Sequence, residues 1–232
     1  MCWIIITSVI SLTLFLIWAS ADIGSNVYLK TLCKGKTTKK VVTLTFDDGP
    51  DKEMTPRVLD ILKEYNIKAT FFLIGKNVEK HPDIVKRMVA EGHIIANHTY
   101  SHLGTFPMSS SKQVNNELEN CDEAIRQATG KSPKLFRPPF GVTNPIIGNA
   151  VRKRGYSTIG WSIRSLDTIK GRSRKEVRDK VVAKLHPGAI ILLHDRCEKA
   201  DELLREIISA GKENGYDFVS LKEILNIEAY EN

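Results

Sequence analysis

From Val41 onward, short apolar runs alternate with amphipathic stretches about seven times. The apolar, β-branched runs read as buried strands: Val41–Phe46, Ala69–Ile74, Ile94–Asn97, Leu135–Arg137, Tyr156–Trp161, Ala189–Leu193 and Phe218–Val219. Helix signals lie between them. Thr55-Pro56 offers an N-cap with proline at the first helical position, for a helix running to about Tyr65. Pro82 opens a helix that stops near Gly92, and another runs from about Ser111 to Thr129-Gly130. The next begins near Asn144-Pro145 and ends at Gly155; Ser173 with Glu176 forms a capping box for the one after. A helix over roughly Ala200–Asn214 follows, and Ser220 with Glu223 caps the last. Strict alternation with apolar strands predicts an α/β fold on a parallel sheet. So many units in one chain suggest a single-domain, closed or nearly closed barrel, with a doubly wound open sheet as the alternative.

The segment before Val41 has a different pattern. Trp3–Trp18 carries no charge and is followed by Ala19-Ser20-Ala21, the length of a signal-peptide apolar region with a small-residue cleavage site. Counted from Met1 it also approaches the length of a membrane span. No basic residue precedes it, and the lysines that follow run against the positive-inside rule. The expectation is export, with residues 1–21 a cleaved signal peptide or a membrane anchor and the protein periplasmic, membrane-anchored or extracellular. The bland alternative is a buried helix of the domain. Residues 22–40 form a polar, lysine-rich lead-in, and 41–232 the domain proper.

The formal charge of +7 suits acidic partners. The basic clusters Lys34–Lys40, Arg152–Arg154 and Lys170–Lys180 contain no aromatics, so they read as solvated faces and no nucleic-acid partner is expected. Cys2, Cys33, Cys121 and Cys197 form no CxxC pair, which leaves zinc knuckles and thioredoxin-like chemistry unsupported.

Reactive residue types gather at the carboxyl ends of the predicted strands, the rim where α/β barrels build active sites. Asp47 and Asp48 follow the first strand, His98–His102 the third, Arg137 the fourth, Asp167 lies beyond the fifth, and His194-Asp195 ends the sixth. Adjacent carboxylates ending a buried strand repel and lose solvation. A metal compensates, with one carboxylate ligating and its neighbour free to handle protons. The plain alternative is an acidic turn. His98 and His102, four apart, face one way on a helical turn and can share a metal. Adding Asp48 makes a two-nitrogen, one-oxygen set with open positions, for which zinc is the default and cobalt, manganese, nickel or iron are compatible.

TFDDGP (45–50), HTYSH (98–102), RPPFG (137–141) and ILLHD (191–195) resemble, in order, the motifs of the polysaccharide deacetylases, the NodB-homology group or carbohydrate esterase family four. The resemblance spans roughly residues 40–225. It implies a distorted (β/α) barrel that hydrolyses N-acetyl, sometimes O-acetyl, groups of an envelope or extracellular glycan. It also implies that Asp48, His98 and His102 hold a divalent metal, Asp47 is the general base and His194 the general acid. Arg137 would then orient and charge-balance Asp47, and Asp167 would hold His194. Arg137 also reads as a surface arginine before a proline pair, Leu192 and Trp161 equally as pocket walls or core, and Asp195 as a turn residue or a capping group without an assigned role. A monomer is expected. The family's Asp-x-x-Asp-Trp segment is here Arg164-Ser165-Leu166-Asp167-Thr168. A carboxylate becomes a cation and an indole becomes a small hydroxyl, which predicts a roomier, more basic subsite suited to an anionic glycan such as a peptidoglycan-like polymer. A non-catalytic glycan binder and a hydrolase of another acyl or phosphate ester are the competing functions; the two proton-transfer residues argue against the first.

Overall fold

The computed structural model describes residues 2–231. An apolar helix, α1 (Cys2–Ala21), precedes β1 (Thr31–Leu32), β2 (Val41–Asp47), α2 (Met54–Glu64), β3 (Thr70–Leu73), α3 (Gly75–Lys80) and α4 (Pro82–Ala90). There follow β4 (Ile94–Asn97), α5 (Ser111–Thr129), β5 (Leu135–Phe136), α6 (Pro145–Lys153), β6 (Ser157–Ile159) and β7 (Ile163–Arg164). The chain closes with α7 (Arg174–Val182), β8 (Ala189–His194), α8 (Ala200–Glu213), β9 (Asp217–Phe218) and α9 (Leu221–Leu225).

All strand pairings are parallel, in the order β1-β6-β5-β4-β3-β2-β8-β7, with β9 beside the start of β2. The walk from β2 to β6 never reverses, and β2 lies beside β8. This is the order of a barrel, whereas a doubly wound sheet turns back at a switch point. The open margins lie at β1–β6 and β7, and only Gly160-Trp161-Ser162 separates β6 from β7, so one short crossing spans the gap. Across its lower end the lead-in serves the same purpose: β1 pairs β6, and Lys34 bridges to Ala189 at the start of β8. The result is the expected distorted (β/α) barrel.

Among the described residues there are nine strands rather than seven. β1 and β7 are two residues each, too short to show any period, and the predicted strand Tyr156–Trp161 is cut short where the chain crosses the gap. Thr55 is not a cap; α2 starts behind Glu53, and the Thr55 hydroxyl instead donates to the buried Asp195 carboxylate at 2.5 Å. The other boundary signals agree with their elements. Ser173 and Ser220 make capping boxes, Asn144 accepts from the Ile147 N–H, and α5 ends on Gly130 at φ 71°.

Six of the seven residues of β2 are buried, because helices cover the outside while the barrel's own side chains fill the inside. Phe46 stacks on Phe71 with ring centroids 5.1 Å apart, and Val58, Leu62, Leu204 and Ile207 of α2 and α8 complete the outer layer. α1 is no part of this core. It is exposed from Trp3 to Trp18 and meets the domain only at its last turn, so the buried-helix alternative falls.

Candidate active site

β2 and β8 are paired so that Asp47 stands directly beside His194. Register alone therefore places a carboxylate and an imidazole side by side at the rim, each carried by a strand whose apolar run fixes its depth. Beyond Asp47 the backbone turns sharply. Asp48 sits at φ 73°, and Gly49 passes so close to Asp195 that a Cβ there would lie 2.3 Å from its Oδ2. Thr99, His102, Phe140 and Leu166 also hold positive φ on the rim loops after β4, β5 and β7. Such conformations cost free energy in residues other than glycine, and they persist only where surrounding contacts impose them.

The HTYSH stretch is a loop, not the helical turn expected. Asn97, fully buried, shapes it: its Oδ1 accepts from the Thr99 N–H at 2.8 Å while its Nδ2 donates to Leu118 O and Asp122. Glu117 on α5 accepts from the Ser101 N–H and hydroxyl. The two imidazoles still meet, with ring centroids 4.9 Å apart, and Phe140 packs edge-on to His102 at 4.8 Å.

His98 Nδ1 donates to the Arg137 carbonyl at 2.8 Å, which leaves Nε2 facing the rim. Asp48 Oδ1 lies 3.4 Å from both His98 Nε2 and His102 Nε2 and, though buried, has no hydrogen-bond partner. The ligand atoms of Asp48, His98 and His102 all fall within 4.8 Å of one another. Two ligand atoms held about 2.1 Å from one tetrahedral ion stand about 3.4 Å apart. The unsatisfied oxygen, the lone-pair directions and the spacing together fit a divalent cation. Burial alone would raise the Asp48 carboxyl, but the close imidazoles of His98, His102 and His194 outweigh it and hold the group well below the usual carboxylate range, ready to ligate. Burial, joined by repulsion from His98, lowers His102, which favours its neutral, ligating form.

Arg137 is fully buried, so the surface-arginine alternative is wrong. Nη1 donates to Asp47 Oδ1 at 2.6 Å and to Thr45 Oγ1, Nε to the Ile159 carbonyl and Nη2 to the Gly160 carbonyl. Its plane lies 4.0 Å over the Phe72 ring. Opposite, Asp167 grips His194 twice, accepting from Nδ1 and from the backbone N–H, both at 2.8 Å. Burial would lower the His194 pKa, but the Asp167 hydrogen bond and charge, with Asp47 and Asp48 beyond, raise it. His194 Nε2 is left pointing inward, 3.9 Å from Asp48 Oδ2.

These groups line a cavity of about 130 Å³ walled by Trp161, Leu192, Phe140 and Gly141, with Arg164, Thr168 and Arg196 also on it. A larger hollow of about 700 Å³ lies at the opposite ends of the strands; it carries lysines and one glutamate but no histidine, and the chemistry is not there. Trp161 and Leu192 both face the cavity. Gly141 (φ 73°) crosses the Trp161 ring where a Cβ would come within 2.5 Å.

The sequence marked all seven candidate residues that converge here. It missed Arg196, which donates to Asp48 Oδ2 at 2.9 Å, Thr45, which accepts from Arg137, and Asn97 and Glu117, which fix the HTYSH loop. Asp195 lies in the turn that follows β8, as read, but it is fully buried, and burial, against the Thr55 hydrogen bond, pushes its carboxyl up to about 7. Apart from the local Asn97–Thr99 bond, the contacts these residues make are to partners distant in the chain, which no local signal marks.

A family model described as polysaccharide deacetylase matches residues 34–159. A peptidoglycan-N-acetylglucosamine deacetylase of Bacillus cereus is 39% identical over 81% of this chain and 69% of its own length. A peptidoglycan-N-acetylmuramic acid deacetylase of Bacillus subtilis is 36% identical over 82% of this chain and 73% of its own. The crystal structure of the Bc1960 peptidoglycan N-acetylglucosamine deacetylase superposes with a TM-score of 0.79 at 36% identity, covering 86% of this chain and 94% of that one.

Proposed function

This chain belongs to the polysaccharide deacetylase family, and from that premise we propose that it removes N-acetyl groups from a peptidoglycan-type glycan outside the cytoplasm, using Asp48, His98 and His102 to hold a divalent ion. The observation that carries the reading is the buried, unpartnered Asp48 Oδ1 set 3.4 Å from two imidazole nitrogens. When bound, the ion supplies Lewis acidity to the acetyl carbonyl and to the attacking water. Asp47 takes the water's proton, and its charge and direction are held by Arg137. Water adds to the carbonyl carbon, the C–N bond breaks, and His194 Nε2 gives its proton to the departing amine, so the products are acetate and a free amino sugar. Asp167 keeps the His194 proton on the ring by raising its pKa.

Chelation is expected to abolish acetate release from an acetylated glycan panel, and a divalent ion, zinc first among those tried, to restore it. His98→Ala and His102→Ala should lower metal content measured by elemental analysis as well as rate. Full turnover in rigorously metal-free protein would falsify the reading.

A second outcome concerns pH. His194 acts in its protonated form, and its pKa is raised, so activity holds below that pKa and falls as pH climbs through it. Asp167→Asn removes a partner that raises the pKa, so the alkaline limb of the kcat/KM profile should move to lower pH. An unmoved limb with reduced rate would give Asp167 a purely structural role.

The substrate reading rests on the cavity mouth, where Arg164, 5.7 Å from the Trp161 ring, stands in place of a carboxylate and Thr168 in place of a tryptophan, with Arg196 also on the lining. Two guanidiniums favour a glycan carrying a carboxylate, such as a lactyl ether or a uronate. Arg164→Asp should lower kcat/KM on a lactyl-bearing oligomer and spare a neutral chitooligosaccharide. A wild type that prefers the neutral oligomer, with a variant that changes nothing, overturns the assignment.

A further inference from the structure

α1 has the dimensions of a membrane span and is fastened to the rim of the candidate site without a spacer. Its 20 residues extend about 30 Å, the thickness of a bilayer's hydrocarbon core. It is uncharged and exposed from Trp3 to Trp18, and these two tryptophans stand near its two ends as interfacial aromatics do.

The last turn belongs to the domain. Ala19 is fully buried, its carbonyl accepting from the Ser25 and Thr143 hydroxyls, while the Ser20 carbonyl accepts from the Thr143 N–H at 2.9 Å. The small-residue segment that reads as a cleavage site is thus helical and packed, and cutting after it would strip contacts from the loop that carries Phe140. Phe140, three residues before Thr143, is 48% exposed and lines the catalytic cavity. Asn144 ties this loop to the next by donating to the Pro107 carbonyl at 2.7 Å, and beside these two residues lie Ile146, 40% exposed, and Met108, 80% exposed. Exposed apolar side chains on loops tied to one another and to the end of an apolar helix suit an apolar surface, and the one adjacent to a bilayer-spanning helix is the bilayer itself.

We propose that α1 is retained as an anchor and that the loops bearing Met108, Phe140 and Ile146 rest on the membrane surface around its exit, so that the active site opens beside the bilayer. Resting on the deacetylase reading, the substrate is then the glycan lying nearest the membrane, which the absence of a spacer keeps at high effective concentration.

The test uses the full chain, recovered from membranes and reconstituted in phosphatidylcholine–phosphatidylglycerol vesicles. Intact mass should include α1. A fluorophore is placed in turn on Met108→Cys, Ile146→Cys and, at the opposite end of the barrel, Lys39→Cys, in a background lacking Cys2, Cys33 and Cys197. All three sites are exposed, and circular dichroism checks that each variant folds. With headgroup spin-labelled lipid in the vesicles, positions 108 and 146 should lose most of their emission and position 39 little. The proposal is overturned by a mass lacking α1, by equal quenching at 39 and 108, or by shielding at 108 that depends on protein concentration rather than lipid, which would mark a second copy as the partner. Neither readout uses acetate release, so failure here and failure of the deacetylase reading are separate results.

Discussion

Asp47→Asn is expected to keep its divalent ion and to lose about 10²–10⁴-fold in turnover, the usual contribution of a positioned general base. The substitution keeps the shape and the Oδ1 acceptor that Arg137 contacts at 2.6 Å, and leaves the Asp48, His98 and His102 donors as they are. What disappears is the basic oxygen pair beside His194. Metal analysis and acetate release from one preparation decide the matter. Loss of the ion together with activity would mean that the roles of the two aspartates are exchanged, because only a ligand change empties the site.

Arg137→Met is expected to be the most destabilising substitution at the rim, costing about 3–5 kcal/mol, because removing one partner of a buried pair strands the other charge. Arg137 and Asp47 are both buried, and the guanidinium also satisfies Thr45 and the carbonyls of Ile159 and Gly160. Methionine fills much of the volume against Phe72 but provides none of these donors. In urea denaturation, the double variant Arg137→Met/Asp47→Asn should recover part of the loss, since no uncompensated carboxylate remains. Equal destabilisation in single and double variants would show that the orphaned carbonyls, not the stranded charge, dominate. Turnover should fall in the single variant as well, since Asp47 loses the donor that fixes its direction at 2.6 Å.

The alternation of apolar runs and capped helices was enough to specify an α/β fold on a parallel sheet, because a strand buried on both faces must be continuously apolar and the helices that cover it must be amphipathic; it suggested a barrel but left a doubly wound sheet open. It was also enough to bring Asp47, Asp48, His98, His102, Arg137, Asp167 and His194 to one rim, since residues that follow parallel strands end on the same side. The sequence could not show how the barrel closes. β1 and β7 are too short to carry a period, and the crossing at Gly160–Ser162 is settled by which backbone groups lie opposite one another. The HTYSH loop reads as a helical turn from spacing alone, yet the Asn97 side chain, bonded locally to the Thr99 N–H, and Glu117, reaching over from α5, hold it in another shape. Tertiary structure also decided that Arg137 is buried, that Arg196 reaches Asp48, and that Asp195 sits unexposed beneath Gly49. Each of these depends on a partner 22 or more residues away, about which local composition carries no information, whereas periodicity and capping are written within a few turns of the chain.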